Sequence, residues 1–364
     1  MQQLRKPDIS LIIVTIFLII FGLLMVYSAS SVVASYKYND AFYFFKRQLI
    51  FSIVGIILMF VVSKININKI FKRVTIIFII SICLLLLVLI PGIGVVRGGA
   101  RSWIGFGSFS IQPAEIVKVT IILFLATILN KIDIRLNKIR YTCLTLGIIV
   151  GTFLLIMLQP DFGTGLVITL SSLMILFCAG LSFKYFIIIG LGGVLGIIFL
   201  IASAPYRLER IFAFLDPWKD PLGSGFQAIQ SLFSIAPSGI FGLGYNQSMQ
   251  KHFFLPEPQN DFIFAIICEE LGLIGGVILI VSFAFLIIKL CVLSTKIEDN
   301  KYKLTLVGIA SSLFVQVFIN LGVVIGILPV TGITLPIISY GGSSLVFTLI
   351  MIGIALNISR YREE

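Results

Sequence analysis

Charge is what this sequence has least of. Only 12% of its 364 residues are Asp, Glu, Lys or Arg, about half the share of an ordinary soluble domain, while 59% are hydrophobic. That balance excludes a water-soluble globule. Histidine is nearly absent: His252 stands alone, nothing near it in sequence makes a triad or a metal site, and it reads as a loop surface residue. The five cysteines (Cys83, Cys143, Cys178, Cys268, Cys291) fall in or at the edge of apolar runs without metal-ligand spacing, so neither disulfides nor ligands are expected. Low-complexity linkers and a soluble domain are lacking too, and no internal repeat of the inverted-transporter kind is visible.

What is there in excess is long apolar sequence. Runs such as Ile9–Tyr27 and Leu304–Leu328 are helix-length rather than alternating. In lipid every backbone group must be satisfied within the fold, which leaves helices or a closed barrel, and these runs favour helices. The expected fold is an all-α polytopic membrane protein, a single domain over 1–364. Ten spans are expected at about 8–29, 46–63, 72–90, 112–130, 142–158, 162–180, 184–203, 261–290, 303–327 and 343–359. The first run is too long for a signal-peptide core and lacks a small-residue cleavage pattern, so it reads as a retained span.

The net charge of +11 has a membrane explanation rather than a nucleic-acid one. With the N terminus inside, seventeen of the 27 Lys and Arg fall in the cytoplasmic stretches and nine outside, which places both termini in the cytoplasm. The inner loops are short and basic. The outer stretches 91–111, 204–260 and 328–342 hold most of the Pro, Gly, Trp and polar chemistry, so function is expected there. The large loop at 204–260 carries Phe226, Ile229 and Phe233 at helical spacing, which reads as a short amphipathic helix lying on the outer surface or packing on the bundle.

Charges within a span cost roughly 2.5–3.5 kcal/mol each, which makes them candidates for a site. Glu115 and Lys118 are three apart in the fourth span and read equally as a structural ion pair or as part of a site. Asp161, in the turn Gln159-Pro160-Asp161-Phe162-Gly163, is expected to cap the sixth span and to face the outer cavity. Glu269 and Glu270 lie deep in the eighth span and need a partner, for which Lys118 is one candidate. Asp261 closes the run Leu255-Pro256-Glu257-Pro258-Gln259-Asn260 and opens the eighth span; spacing alone favours a helix cap.

Several ordered motifs together resemble the SEDS proteins (shape, elongation, division, sporulation). They are Gly98-Gly99-Ala100-Arg101-Ser102-Trp103-Ile104, Gln112-Pro113-Ala114-Glu115 with Lys118, Gln159-Pro160-Asp161-Phe162-Gly163, Asp216-Pro217-Trp218, Gln250-Lys251 with Leu255-Pro256-Glu257, Asp261-Phe262-Ile263 with Glu269-Glu270-Leu271-Gly272, and Pro329-Val330-Thr331-Gly332 with Ser339-Tyr340-Gly341-Gly342-Ser343-Ser344. The resemblance runs from the first span to the last. Within the family Ile90-Pro91-Gly92-Ile93-Gly94 and Ala204-Pro205-Tyr206-Arg207 are more similar to the FtsW/SpoVE branch than to RodA.

That resemblance implies a peptidoglycan glycosyltransferase of the bacterial cytoplasmic membrane that polymerises lipid II on the outer face and releases undecaprenyl pyrophosphate, for cell division or spore cortex synthesis. It maps the family's essential acid onto Asp261 and reverses the cap reading there, making Asp261 the expected general base. Arg101, Lys118, Arg210 and Lys251 become candidates for the diphosphate, while Glu115, Asp161, Glu257 and Ser343 would line or support the cavity. No cofactor is implied with certainty; a divalent cation, Mg or Mn, could bridge diphosphate and carboxylate. The implied partners are lipid II, the nascent glycan strand, a class B penicillin-binding protein docking near the eighth and ninth spans, and division or sporulation proteins, with no nucleic acid. Three positions depart from the family: Gln259 where many members have His, Asn260 where Thr is frequent, and Ser102 in place of a second Arg. A lipid II flippase and a non-catalytic divisome scaffold are the rival readings.

Overall fold

The computed structural model describes residues 5–97, 99–106, 109–132, 135–202 and 205–362. Helices dominate, in the order α1 (Ile9–Tyr38), α2 (Tyr43–Lys64), α3 (Ile67–Leu89), α4 (Pro113–Ile132), α5 (Ile139–Met157), α6 (Phe162–Cys178), α7 (Phe183–Ala202), α8 (Pro205–Leu215), α9 (Phe226–Ile235), α10 (Ile263–Thr295), α11 (Asn300–Val324) and α12 (Gly342–Ile358). Among the described residues seven of them, α1, α2, α3, α5, α10, α11 and α12, are long and apolar enough to cross a membrane, so the chain is a multi-pass membrane protein. Every segment expected to span is helical. The 91–111 loop adds an element the apolar pattern does not signal, a three-stranded antiparallel sheet of β1 (Gly94–Arg97), β2 (Ala100–Phe106) and β3 (Phe109–Ile111), with Gly94 opposite Ile104 and Ile104 opposite Ile111.

Helix starts follow local chemistry. Asp8, Asn66, Asp161 and Asp299 each accept a backbone N–H from the first turn of the helix that follows. These caps satisfy donors that an apolar surrounding could not. α11 is the hub: it packs against α4, α6, α9, α10 and α12, while α12 lies along α2, α3 along α4, and α1 along α2 and α10. The amphipathic segment at 226–235 packs on the bundle, against α10 and α11, with Ile229 buried. Its Ser231 hydroxyl donates to the Val324 carbonyl at 2.7 Å, satisfying the C-terminal turn of α11.

One end of the bundle gathers both chain termini. The Arg5 amide donates to the Arg360 carbonyl at 3.0 Å, Lys289 pairs with Asp8 at 3.2 Å, and Asn357 donates to the Val62 and Ile65 carbonyls at the α2–α3 turn. The sheet, the 158–161 turn, the long 236–262 loop and the 328–341 segment lie at the opposite ends of the helices they join.

α10 is broken at Gly272, whose φ of 65° and ψ of −162° are not helical. The break would orphan backbone groups inside the apolar bundle, a state lipid cannot relieve. The loop at 239–244 relieves it: Leu243 and Gly244 amides donate to the Glu269 and Glu270 carbonyls at 2.9 Å, while Leu273 and Ile274 amides donate to the Gly239 and Ile240 carbonyls. The two backbones approach so closely that glycine is required on both sides. A Cβ on Gly272 would sit 2.3 Å from the Ile240 carbonyl oxygen, and one on Gly242 (φ 74°) would sit 2.4 Å from Glu270 backbone. Gly272→Ala and Gly242→Ala are each expected to lower the melting temperature in detergent and the yield of monodisperse protein, since a forced left-handed residue alone costs about 1–3 kcal/mol before the collision is counted. Gly190→Ala, whose added carbon would meet nothing within 4 Å, should leave both unchanged.

Candidate active site

The N-terminal turn of α4 forms one wall. Pro113 opens the helix where its missing N–H costs nothing, and Glu115 and Lys118 follow one turn in. They pair at 2.5 Å with side chains 6% and 1% exposed. Lys118 also donates to Gln316 Oε1 of α11 at 3.0 Å, and Gln316 Nε2 donates to the Thr334 carbonyl at 3.0 Å. Gln112, just before the helix, donates to Asp161 Oδ2 at 2.7 Å, while Asp161 Oδ1 accepts the Thr164 amide at 3.1 Å. Ser343, in the first turn of α12, accepts the Gln112 amide and donates to the Ser110 carbonyl, both at 3.2 Å. Glu115, Lys118, Asp161 and Ser343 are therefore brought together.

Asp161 sits in the α5–α6 turn. Burial pushes its carboxyl above the ordinary range and the nearby Glu115 charge adds to this, opposed by the hydrogen bonds from Thr164 and Gln112.

The second wall carries Asp261. α10 starts at Ile263 with Phe262 in the cap position, so Asp261 lies one residue before the cap and the helix-cap role is not realised. Its backbone is clamped instead: Asn320 Nδ2 donates to the Asp261 carbonyl and to the Ile333 carbonyl, each at 2.7 Å. Two residues earlier the Gln259 carbonyl accepts the Tyr340 amide at 2.8 Å. Asp261 is half-buried. Glu257 is exposed and bound to its neighbour, accepting Asn260 Nδ2 at 2.6 Å. Buried oxygens on Gln259, Asn260 and Asn320 accept no hydrogen bond among the described residues.

The two walls meet on α11. Gln316 holds Lys118 and Asn320 holds Asp261, and these residues are one helical turn apart on one face. Neither was singled out from the sequence. Their signal was available all the same, because two buried amides four apart in an apolar span are costly unless they bind something.

A third cluster lies behind Asp261. Lys118 was one candidate partner for Glu269 and Glu270; the structure gives them others. Glu270 takes Lys251 at 3.1 Å, the Ser28 hydroxyl of α1 at 2.6 Å, and the Asn246 and Ser248 amides. Glu269 accepts the Ser248 hydroxyl at 2.6 Å and the Met249 and Gln250 amides. Lys118 is instead taken by Glu115 because the two share a helix face three residues apart. Lys251, 2% exposed, is committed to Glu270 and Asn246. Arg101, in β2, lies across Gly94, where a Cβ would meet its side chain at 2.8 Å. The Arg210 side chain lies outside the described residues.

The sequence profile of the FtsW/RodA/SpoVE family, described as cell cycle proteins, matches residues 9–364. The chain belongs to that family. It is 48% identical over 357 residues to Stage V sporulation protein E of Bacillus subtilis (strain 168), covering 98% of each. It is 40% identical over 365 residues to "Probable peptidoglycan glycosyltransferase FtsW" of Coxiella burnetii (strain RSA 493 / Nine Mile phase I), covering 98% of this chain and 97% of that one. Among solved structures it is similar to a chain of a peptidoglycan synthase complex that coordinates polymerization and crosslinking (30% identity, TM-score 0.82, 98% and 99% covered). It is also similar to the rod shape determining protein RodA of Thermus thermophilus (26% identity, TM-score 0.74, 98% of each covered).

Two outcomes follow from the buried groups. Lys118→Met leaves Glu115 buried without its cation and is expected to cost about 3–5 kcal/mol, with most of that recovered in the Glu115→Gln/Lys118→Met double variant, read by thermal unfolding in detergent. A carboxyl raised in the folded state keeps a proton that the unfolded chain has already lost, so the Asp161 contribution to stability falls as pH rises from the ordinary carboxylate range through its raised value. Melting curves across that window should show a downward slope that flattens in Asp161→Asn.

Proposed function

We propose that the chain is a peptidoglycan glycosyltransferase that polymerises lipid II on the outer face of the bacterial cytoplasmic membrane. The observation that carries the reading is the clamp on α11, where Asn320 holds the backbone of the half-buried Asp261 and Gln316, one turn earlier, holds the Lys118 of the Glu115–Lys118 pair. Counting α4, α6 and α7 with the seven apolar helices makes ten spans, with the large loop at 204–260 on the outer side. The basic residues crowd the end that holds both termini, so that end is cytoplasmic and the Asp261 end faces outward.

In this reading the growing strand, held through its reducing-end sugar to undecaprenyl pyrophosphate, is the donor. The 4-hydroxyl of an incoming lipid II attacks the anomeric carbon, Asp261 takes the hydroxyl proton, and the bond to the diphosphate breaks with its electrons leaving on oxygen. The leaving diphosphate needs cationic groups, and Arg101 and Arg210 are the residues assigned to it, Arg for its bidentate geometry, while Lys118 is committed to Glu115 and Gln316. Lys251 serves the same site by holding the loop through Glu270. Glu115, Asp161, Glu257 and Ser343 line or support the cavity. The uncommitted oxygens on Gln259, Asn260 and Asn320 suit sugar hydroxyls and amides. Among the described residues no three His, Cys, Asp or Glu side chains form a metal-ligand set; a divalent cation, Mg or Mn, would in this reading be held between the diphosphate and a carboxylate.

The partner in this reading is a class B penicillin-binding protein, whose single transmembrane helix docks on α10 and α11. The similar chain from a synthase complex that coordinates polymerization and crosslinking supports it. The exposed apolar face of α10, with Leu273, Val281 and Ile288, offers a surface. Division or sporulation is the cellular setting.

Purified protein given fluorescent lipid II, with and without the partner, is expected to yield glycan strands. Asp261→Asn should fold normally yet lose at least about 100-fold in rate, the contribution of a general base. Lipid II translocation without polymer would replace the reading with a flippase, and an Asp261→Asn variant that polymerises at full rate would remove the base.

A further inference from the structure

The outer corner between α1 and α2 carries a row of aromatic rings that the proposed chemistry does not use. Tyr38, at the end of α1, stacks on Tyr43, at the start of α2, with centroids 3.8 Å apart and planes at 7°. Tyr43 meets Phe44 edge-on at 5.3 Å, and Phe44 meets Tyr340 edge-on at 4.9 Å. Tyr340 donates its amide to the Gln259 carbonyl, two residues before Asp261. A continuous row of rings therefore runs from the strap that bears the candidate base to the top of α1.

This corner stands in water. α1 has 30 residues, about 45 Å of helix, against a hydrocarbon core of about 30 Å, so its last turns project beyond the lipid. Beside the stacked pair Lys46 and Asp40 form an ion pair at 2.8 Å with side chains 63% and 35% exposed, an openness that hydrocarbon does not tolerate. A belt of aromatic anchors at the headgroups would not need such an arrangement.

The row is also held rigid. Arg47 lies 5.4 Å from the Tyr43 ring centre and donates to the Tyr43 hydroxyl at 2.6 Å. Gln48 donates to the Ser339 carbonyl at 3.0 Å and accepts the Gly341 amide at 3.3 Å, pinning the start of α2 to the segment that carries Tyr340. Tyr38 is 47% exposed although Tyr43 covers one of its faces.

Rigid aromatic rings, Tyr38 exposed and Tyr43, Phe44 and Tyr340 half-buried, beside charged hydrogen-bonding groups match the surface of a pyranose chain. Its C–H faces carry the slight positive charge that the ring quadrupole attracts, and its hydroxyls and amides accept and donate at the rim. We propose that Tyr38, Tyr43, Phe44 and Tyr340 form a stacking subsite for an alternating amino-sugar strand, several rings away from the bond being made. This rests on the polymerase reading and deepens it: the row holds the lipid-free part of the strand while Asp261 works at its other end.

The test uses the full chain in nanodiscs and a fluorescein-labelled, lipid-free tetrasaccharide of alternating N-acetylglucosamine and N-acetylmuramic acid, read by anisotropy. Tyr38→Ala is expected to weaken binding by roughly 3- to 10-fold, the effect of losing one stacking ring, and Tyr38→Phe to retain it. Tyr36→Ala is the control: Tyr36 is 79% exposed on the same helix but packs edge-on against Phe253, off the row. Equal weakening by Tyr36→Ala, or no weakening by Tyr38→Ala, overturns the subsite. In the lipid II assay Tyr38→Ala should shift products to shorter strands. If the unaltered chain polymerises and Tyr38→Ala gives the same lengths, the subsite falls and the polymerase reading stands. If the unaltered chain makes no polymer, that reading falls, and with it the subsite's assignment to the growing strand.

Discussion

Two carboxylates buried at the end of a broken helix hold the site together. Glu269 and Glu270 have almost no water, so burying them is costly unless the protein supplies hydrogen-bond donors in its place. It does so with the backbone amides of 246–250, the hydroxyls of Ser28 and Ser248, and the ammonium of Lys251. All of these bonds except the one from Ser28, which ties Glu270 to α1, fix a stretch of the loop that runs on to Asp261. A loop with so much glycine and proline would otherwise sample many conformations, and ordering it costs roughly 1–2 kcal/mol per residue. Buried charge repays that cost because leaving it unpaired would cost more.

The break at Gly272 belongs to the same solution. An unbroken α10 would direct the Glu269 and Glu270 carbonyls into its own next turn. Broken, it offers them to the 243–244 amides, so the loop is bound both by side chains and by backbone at one level. Asn320 and Gln316 then carry the register across α11 to the Glu115–Lys118 pair. The candidate base and the buried cation are thus positioned by neighbouring turns of one well-buried helix.

Pairing rules read along the chain found some of this and missed some for identifiable reasons. Glu115 with Lys118, and Asp161 as a cap, were legible because helix periodicity and capping are local. The partner of Glu270 was not, since Lys251 reaches it only after the loop folds back into the break. Asp261 looked like a cap by spacing; one extra residue of turn before the helix moved it off that position, and Asn320 holds its backbone. The small sheet at 94–111 escaped notice because its strands are short, three to seven residues each.

By itself the sequence determined that this chain lives in lipid, that its apolar runs are helices, and that its costly polar residues gather towards the ends of those helices away from both termini. These follow from transfer free energies and backbone hydrogen bonding, which act residue by residue and need no partner to be read. Only the tertiary structure decided which cation meets which carboxylate, that α10 breaks at Gly272, and that aromatic rings from α1, α2 and the 339–341 segment line up into one row. Those outcomes depend on contacts between residues tens to hundreds of positions apart, where packing, and not local spacing, selects the neighbour.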